Sequence, residues 1–142
     1  MEKVPMYRLA LVVIASLLSS AASAGVVAEI DKSQQVMTVY VNGSYAYSWS
    51  ISTGRGGYNT PVGSFRPTFL SRNHRSSRYG GAPMPYSVFF HRGYAIHGTY
   101  EVRALGRPAS HGCIRLHPES AREFYSLVQS YGRGATRIVI RR

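Results

Sequence analysis

At 142 residues the chain has room for at most one ordinary domain. Its charge is lopsided, 17 Lys and Arg against 6 Asp and Glu for a formal +11 at pH 7, which points to polyanionic partners such as nucleic acid, anionic lipid head groups or a bacterial cell wall. A single cysteine, Cys113, excludes an internal disulfide.

The N-terminus narrows these choices. Lys3 and Arg8 form a basic start, Leu9 to Leu18 is an apolar run too short to span a bilayer, and Ala22-Ser23-Ala24 has the small-residue pattern of a cleavage site. Residues 1–24 are therefore expected to be a cleaved signal peptide and residues 25–142 the functional domain, with no transmembrane segment after removal. Loss of Lys3, Arg8 and Glu2 leaves 15 basic against 5 acidic residues. Export to the periplasm or cell envelope argues against nucleic acid and for the wall. It also makes an unpaired thiol conspicuous in a compartment where thiols oxidise, and reactivity is a good reason to keep one.

From Val26 the pattern is β. Val36 to Val41 is rich in β-branched residues, Tyr45 to Ile51 alternates with period two, and Asn42-Gly43 between them predicts a hairpin. Ser52 to Gly63 is glycine-rich, but no Gly-Lys-Ser/Thr follows, so a phosphate loop is not expected. A strand over Ser64 to Leu70 follows. Ser71 to Pro85 then reads as a long loop in which Arg72, Arg75 and Arg78 interleave with tyrosine, either a disordered linker or a lid over a site. Ser87 to Phe90 and Tyr94 to His97 predict a second hairpin turning at His91-Arg92-Gly93. Pro118 to Tyr131 predicts the one clear helix, with Pro118 at its first position, Gly132 at its stop and Phe124, Leu127, Val128 and Tyr131 on one apolar face. A last strand surrounds Ile138-Val139-Ile140. The chain is expected to be mainly β, with one principal helix near the C-terminus.

The chemistry centres on Ser110-His111-Gly112-Cys113-Ile114-Arg115-Leu116. A lone Cys is most often a small buried apolar residue, but here His97 stands upstream as a candidate base. A thiol attacks only as thiolate, and an ordinary Cys has a pKa of about 8.5. The imidazole that takes its proton needs its other nitrogen held by an acceptor. Asp31 is the only Asp and is remote in sequence, and Glu101 follows a Gly-Thr-Tyr turn, so the carbonyl of Gly98 is the expected orienter. The N–H groups of Gly112 and Cys113 are candidates for meeting an oxyanion, and Arg115 for holding a carboxylate. His97, His111, Cys113 and His117 also offer metal donors. Their spacing matches no zinc pattern, so no metal or other cofactor is expected.

Ile96-His97-Gly98-Thr99, with fifteen residues between His97 and Cys113, and the Ser-His-Gly-Cys segment resemble the signature of the L,D-transpeptidases, the YkuD domain. Thr60-Pro61-Val62-Gly63-Ser64-Phe65 and Met84-Pro85-Tyr86 are similar as well, so the likeness runs from Val26 to Arg142. It implies a mixed-sheet β-sandwich or barrel. It also implies a cysteine acyltransferase acting on peptidoglycan stem peptides, expelling the terminal D-alanine and passing the acyl group to an amine on a neighbouring stem (a 3→3 cross-link) or on an outer-membrane protein. Water as acceptor would make an L,D-carboxypeptidase. Carried over to this chain, Cys113 is the nucleophile, His97 the base, the Gly98 carbonyl its orienter, and His111 and Gly112 the wall of the oxyanion pocket. Ser110, Arg115, Tyr86 and Thr99 are implied substrate contacts, and acylation by carbapenems is expected. Larger members carry a separate wall-binding module; none is expected here, and the basic surface is a candidate stand-in. Two competing readings are a sortase-like transpeptidase, which has a much wider His–Cys separation, and a non-catalytic basic wall-binding module.

Overall fold

The computed structural model describes residues 25–142, so the expected signal peptide lies outside the described residues. β1 (Val26–Asp31), β2 (Val36–Val41) and β3 (Ser44–Ser50) run as an antiparallel meander. The predicted Asn42-Gly43 turn joins β2 to β3, both residues at positive φ (52° and 79°), as the tight turn that matches strand twist requires. The C-terminal strand β9 (Thr136–Arg141) lies parallel to β1, and the short β4 (Gly63–Phe65) closes this first sheet in the order β3-β2-β1-β9-β4. The second sheet has the order β5-β6-β7-β8, from β5 (Phe69–Arg75), β6 (Pro83–His91), β7 (Tyr94–Gly98) and β8 (Ile114–Leu116), with β7 and β8 parallel.

Alternation explains which residues the sheets bury. Val26, Ala28 and Ile30 on β1, Met37 and Val39 on β2, and Ile138 and Ile140 on β9 point inward. They join Val88, Phe90, Ile96, Ile114 and Leu116 of the second sheet in one core. The helix α1 (Pro118–Tyr131) packs on β6 and β7. Pro118 begins it, His117 Nδ1 accepts from the Glu119 N–H at 3.2 Å, and Gly132 at φ 94° ends it. Of the predicted apolar face, Phe124 and Val128 are fully buried and Leu127 and Tyr131 partly; Ala121 and Tyr125 complete the contact.

Two expectations need correction. The strand predicted over Ser64 to Leu70 is two strands in different sheets. Pro67 has no N–H to give a ladder, and the chain crosses there from the first sheet to the second. The stretch Ser71 to Pro85 is not a long loop. β5 and β6 pair through Ser71↔Ser87, Asn73↔Pro85 and Arg75↔Pro83, so only residues 76–82 form the turn. β5 is an edge strand of the second sheet, and its polar residues face water, which erased the apolar alternation by which a strand is recognised.

Candidate active site

The parallel register of β7 and β8 builds the site. It aligns Ile96 with Ile114 and His97 with Arg115. Successive side chains in a strand point to opposite faces. With Ile96 and Ile114 in the core, His97 and Arg115 lie on the other face, and Cys113 is the residue directly before β8. The chain therefore brings Cys113 to the start of the strand that pairs with the strand carrying His97.

His97 is 5% exposed. Its Nδ1 lies 2.7 Å from the Gly98 carbonyl oxygen; a carbonyl only accepts, so Nδ1 carries the hydrogen and Nε2 presents a lone pair. Burial pushes the imidazole pKa down to about 4, against the Gly98 bond, which raises it, and with Arg115 and His74 lowering it further. The ring is therefore a neutral base at pH 7. The Cys113 thiol donates weakly to the Gly93 carbonyl, with Sγ 3.9 Å from the oxygen. Burial pushes this thiol up, opposed by the Ala95 N–H and by Arg115. Burial disfavours the charged form of each, the imidazolium of His97 and the thiolate of Cys113. Arg115 lowers both groups; its Nη1 is also 3.4 Å from the Glu101 carboxylate, which is highly exposed. Glu101 thus meets Arg115, while the Gly98 carbonyl orients His97.

Several expected site residues have other duties. Ser110, expected to touch substrate, is fully buried: its hydroxyl donates to the Cys113 carbonyl at 2.5 Å and accepts from the Gly112 N–H at 3.0 Å. That bond also corrects the expectation for the Gly112 N–H, which is spent inside the loop rather than aimed at a substrate oxygen. Gly112 itself sits at φ 121°, and a Cβ there would lie 2.6 Å from the Tyr94 ring. Thr99, expected to touch substrate, is buried and its hydroxyl accepts from the Glu101 N–H at 3.1 Å, a turn bond. Tyr86, expected in the cleft, stands edge-on against Tyr125 of α1, ring centroids 5.6 Å apart. Its positive φ of 54° turns it toward the helix side of the sheet. His117 caps α1, and among the described residues no three His, Cys, Asp or Glu side chains gather as metal ligands.

His111 sits in a clasp that the sequence did not reveal. Tyr79, from the β5–β6 turn, stacks on its ring at 4.0 Å and 12°, and Tyr58 meets it edge-on at 4.8 Å. Arg55 lies over the Tyr58 ring and its Nη2 is 3.3 Å from His111 Nε2. Arginine only donates, so Nε2 accepts and His111 is neutral. Its pKa is lowered by partial burial, then by Arg55 and Arg115. The interleaved Arg and Tyr residues were the one sequence hint of a cover here. Their partner across the site, the glycine-rich segment, has no spacing that announces it.

Comparison with known proteins identifies the fold and the family. Residues 25–140 match the YkuD family model, an L,D-transpeptidase catalytic domain. The protein YkuD of Bacillus subtilis (strain 168) is 29% identical over 112 residues, covering 76% of this chain and 61% of that protein. An L,D-transpeptidase from Mycobacterium tuberculosis H37Rv superposes with a TM-score of 0.74 at 27% identity, over 83% of this chain and 58% of that one. L,D-transpeptidase 3 of Mycobacterium tuberculosis, solved in complex with a faropenem-derived adduct, gives 0.72 at 25% identity over 83% and 60%. The chain thus spans about three fifths of the length of the proteins it matches, and its two mixed sheets and single principal helix have the architecture of solved L,D-transpeptidases. With residues 25–140 matched, this chain belongs to the YkuD family of L,D-transpeptidase catalytic domains.

Proposed function

We propose that this chain is an exported cysteine L,D-transpeptidase acting on peptidoglycan tetrapeptide stems. The observation that carries the reading is the parallel pairing of β7, which holds His97, with β8, which Cys113 directly precedes, together with the tie of His97 Nδ1 to the Gly98 carbonyl. In the forward step Cys113 Sγ bonds to the carbonyl carbon of the third stem residue, while its proton passes to His97 Nε2. Collapse of the tetrahedral adduct breaks the peptide bond to D-alanine, whose amine takes the proton from the imidazolium. The thioester is then attacked by an amine, whose proton returns through His97 to the sulfur as the new amide forms. An amine on a neighbouring stem gives a 3→3 cross-link, and one on an outer-membrane protein gives an anchored protein. Water in the amine's place gives a carboxypeptidase. Arg115, 19% exposed and lowering the Cys113 thiol through its charge, supports binding of a stem carboxylate.

Export rests on the basic, apolar and Ala-Ser-Ala pattern of residues 1–24. Among the described residues no helix is long and apolar enough to cross a membrane.

The test is incubation of the chain with purified disaccharide-tetrapeptides, followed by mass spectrometry. Dimers with released D-alanine mark transpeptidation, and tripeptides alone mark hydrolysis. Cys113→Ala should abolish both, because the remaining pocket has no nucleophile to serve; undiminished turnover in that variant ends the proposal. Faropenem or a carbapenem should add its mass to Cys113, in keeping with the adduct on the Mycobacterium tuberculosis relative.

A further inference from the structure

The Thr60-Pro61-Val62-Gly63 segment touches neither His97 nor the sulfur in the mechanism above, yet Thr60 is 1% exposed and reaches the nucleophile loop. Its Oγ1 donates to the Gly112 carbonyl at 2.8 Å and accepts from the Gly54 N–H at 2.9 Å. The hydroxyl is thus fully committed between two backbones. Gly54 lets them come this close: a Cβ there would overlap the Tyr58 carbonyl and lie 3.2 Å from the Gly112 Cα. Thr60 is itself anchored, its carbonyl accepting from Lys32 Nζ at 2.7 Å. The strand end before Gly54 is pinned by a buried exchange in which Gln35 Oε1 accepts from the Thr53 N–H at 3.0 Å and Gln35 Nε2 donates to Thr53 Oγ1 at 2.7 Å.

We propose that Thr60 is a positioning residue for acyl transfer: by holding the Gly112 carbonyl it aims the Cys113 N–H at the oxygen that becomes negative when the sulfur adds to a carbonyl. The inference rests on the acyl-transfer reading of Cys113. The carbonyl that Thr60 holds and the N–H of Cys113 belong to one peptide unit. That unit is planar and, with no cis bond among the described residues, trans, so its C=O and N–H point in opposite directions. Fixing the oxygen toward Thr60 fixes the N–H away from Thr60. Ser110 secures the flanking groups, taking the Gly112 N–H and donating to the Cys113 carbonyl. Three of the four main-chain polar groups from the Gly112 nitrogen to the Cys113 oxygen are thereby occupied, and the orientation of the fourth, the Cys113 N–H, follows. A donor on the nucleophile's own residue lies within reach of the tetrahedral adduct, and a preorganised donor aimed there is among the largest contributions a site can make.

The test separates reactions that form an oxyanion from one that does not. p-Nitrophenyl acetate acylates a thiol through a tetrahedral adduct: the S–C bond forms, nitrophenolate leaves, and the thiol proton passes through His97 to solvent. Iodoacetamide alkylates the same sulfur by displacement at a saturated carbon, with no oxyanion. In the full chain, Thr60→Val should slow the nitrophenolate burst about tenfold to a hundredfold, while changing the alkylation rate by less than about threefold. Thr60→Ser, which keeps the hydroxyl, should restore the burst. Thr60→Ala carries the same comparison if the valine variant does not fold. Equal slowing of both reactions, or an unchanged burst, overturns the assignment. With tetrapeptide stems the loss should fall on kcat and leave KM near its original value. A wild-type chain that accepts the acetyl group yet leaves tetrapeptides intact removes the peptidoglycan reading while leaving the role of Thr60 standing.

Discussion

His97 carries its chemistry in a form that burial makes visible to pH. An ordinary imidazole titrates near 6.5, but this one is pushed down to about 4, first by desolvation. Below pH 6.5 the unfolded chain therefore binds a proton at this position that the folded chain refuses, so stability is complete above that pH and is lost as pH falls through the window from 6.5 to 4. Between pH 7 and 4.5 this amounts to roughly 2–3 kcal/mol, taking 1.36 kcal/mol per pKa unit. Thermal melting should show the loss, and His97→Gln should remove most of it, leaving the smaller shares of His111 and Asp31, which are shifted in the same direction. The same lowering keeps the base neutral in mild acid, so the acid limb of kcat/KM should lie well below 6.5. A limb at 6.5 with a flat melting profile would mean that His97 is solvated and not the base. The tie of His97 Nδ1 to the Gly98 carbonyl was legible in the sequence because the acceptor belongs to the very next residue. Ser110 and Thr99 were not. A hydroxyl next to a catalytic residue reads the same whether it faces a ligand or ties down its own loop, and only burial and partners decide.

Among the elements, the β2–β3 hairpin and α1 were readable because each advertises itself within its own residues: alternation around Asn-Gly in one, an apolar face between Pro118 and Gly132 in the other. The parallel pairings β1 with β9 and β7 with β8 join strands far apart in the chain, and no local pattern encodes them. β5 was hidden for a different reason, since a solvated edge strand loses the apolar period. Its turn with β6 brings Tyr79 onto the His111 ring. The turn is otherwise held by its own local bonds, Ser76 with Ala82 and Gly81 with Ser76, so the aromatic stack is its tie to the nucleophile loop. Aromatic pairs contribute about 0.5–1.5 kcal/mol beyond area, enough to shift a local opening equilibrium up to roughly tenfold. Tyr79→Ala should therefore speed amide exchange in residues 76–82 by up to about tenfold, leaving α1 and β7 unchanged. The bulky disulfide reagent DTNB should then reach Cys113 faster than in wild type. Unchanged exchange and unchanged thiol access would show that the turn stands without the stack.

At the scale of the whole molecule the fold commits several carboxylates to cations or local bonds and leaves the positive excess outside. Glu29 and Asp31 each lie 3.7 Å from Arg141, Glu101 pairs with Arg115, and Glu123 accepts from the Tyr47 hydroxyl at 2.8 Å. Residues 25–142 hold 15 Lys and Arg against 5 Asp and Glu, so most of the cations have no carboxylate to neutralise them. A wall whose stem peptides carry carboxylates offers the opposite sign over a wide area. Each contact between exposed charges is weak and screened by salt, but many act together on a polymer, and their summed affinity should be steeply dependent on ionic strength. Sedimentation with insoluble peptidoglycan should bind the chain at about 50 mM salt and release most of it by roughly 500 mM, as the screening length falls from more than 10 Å toward 4 Å. Cys113→Ala should follow the same curve, because recognition of the wall by surface charge does not pass through the thioester. Binding that ignores salt, or that is lost with the thiol, would place wall recognition in the catalytic cleft alone and leave the arginine excess without a role in targeting.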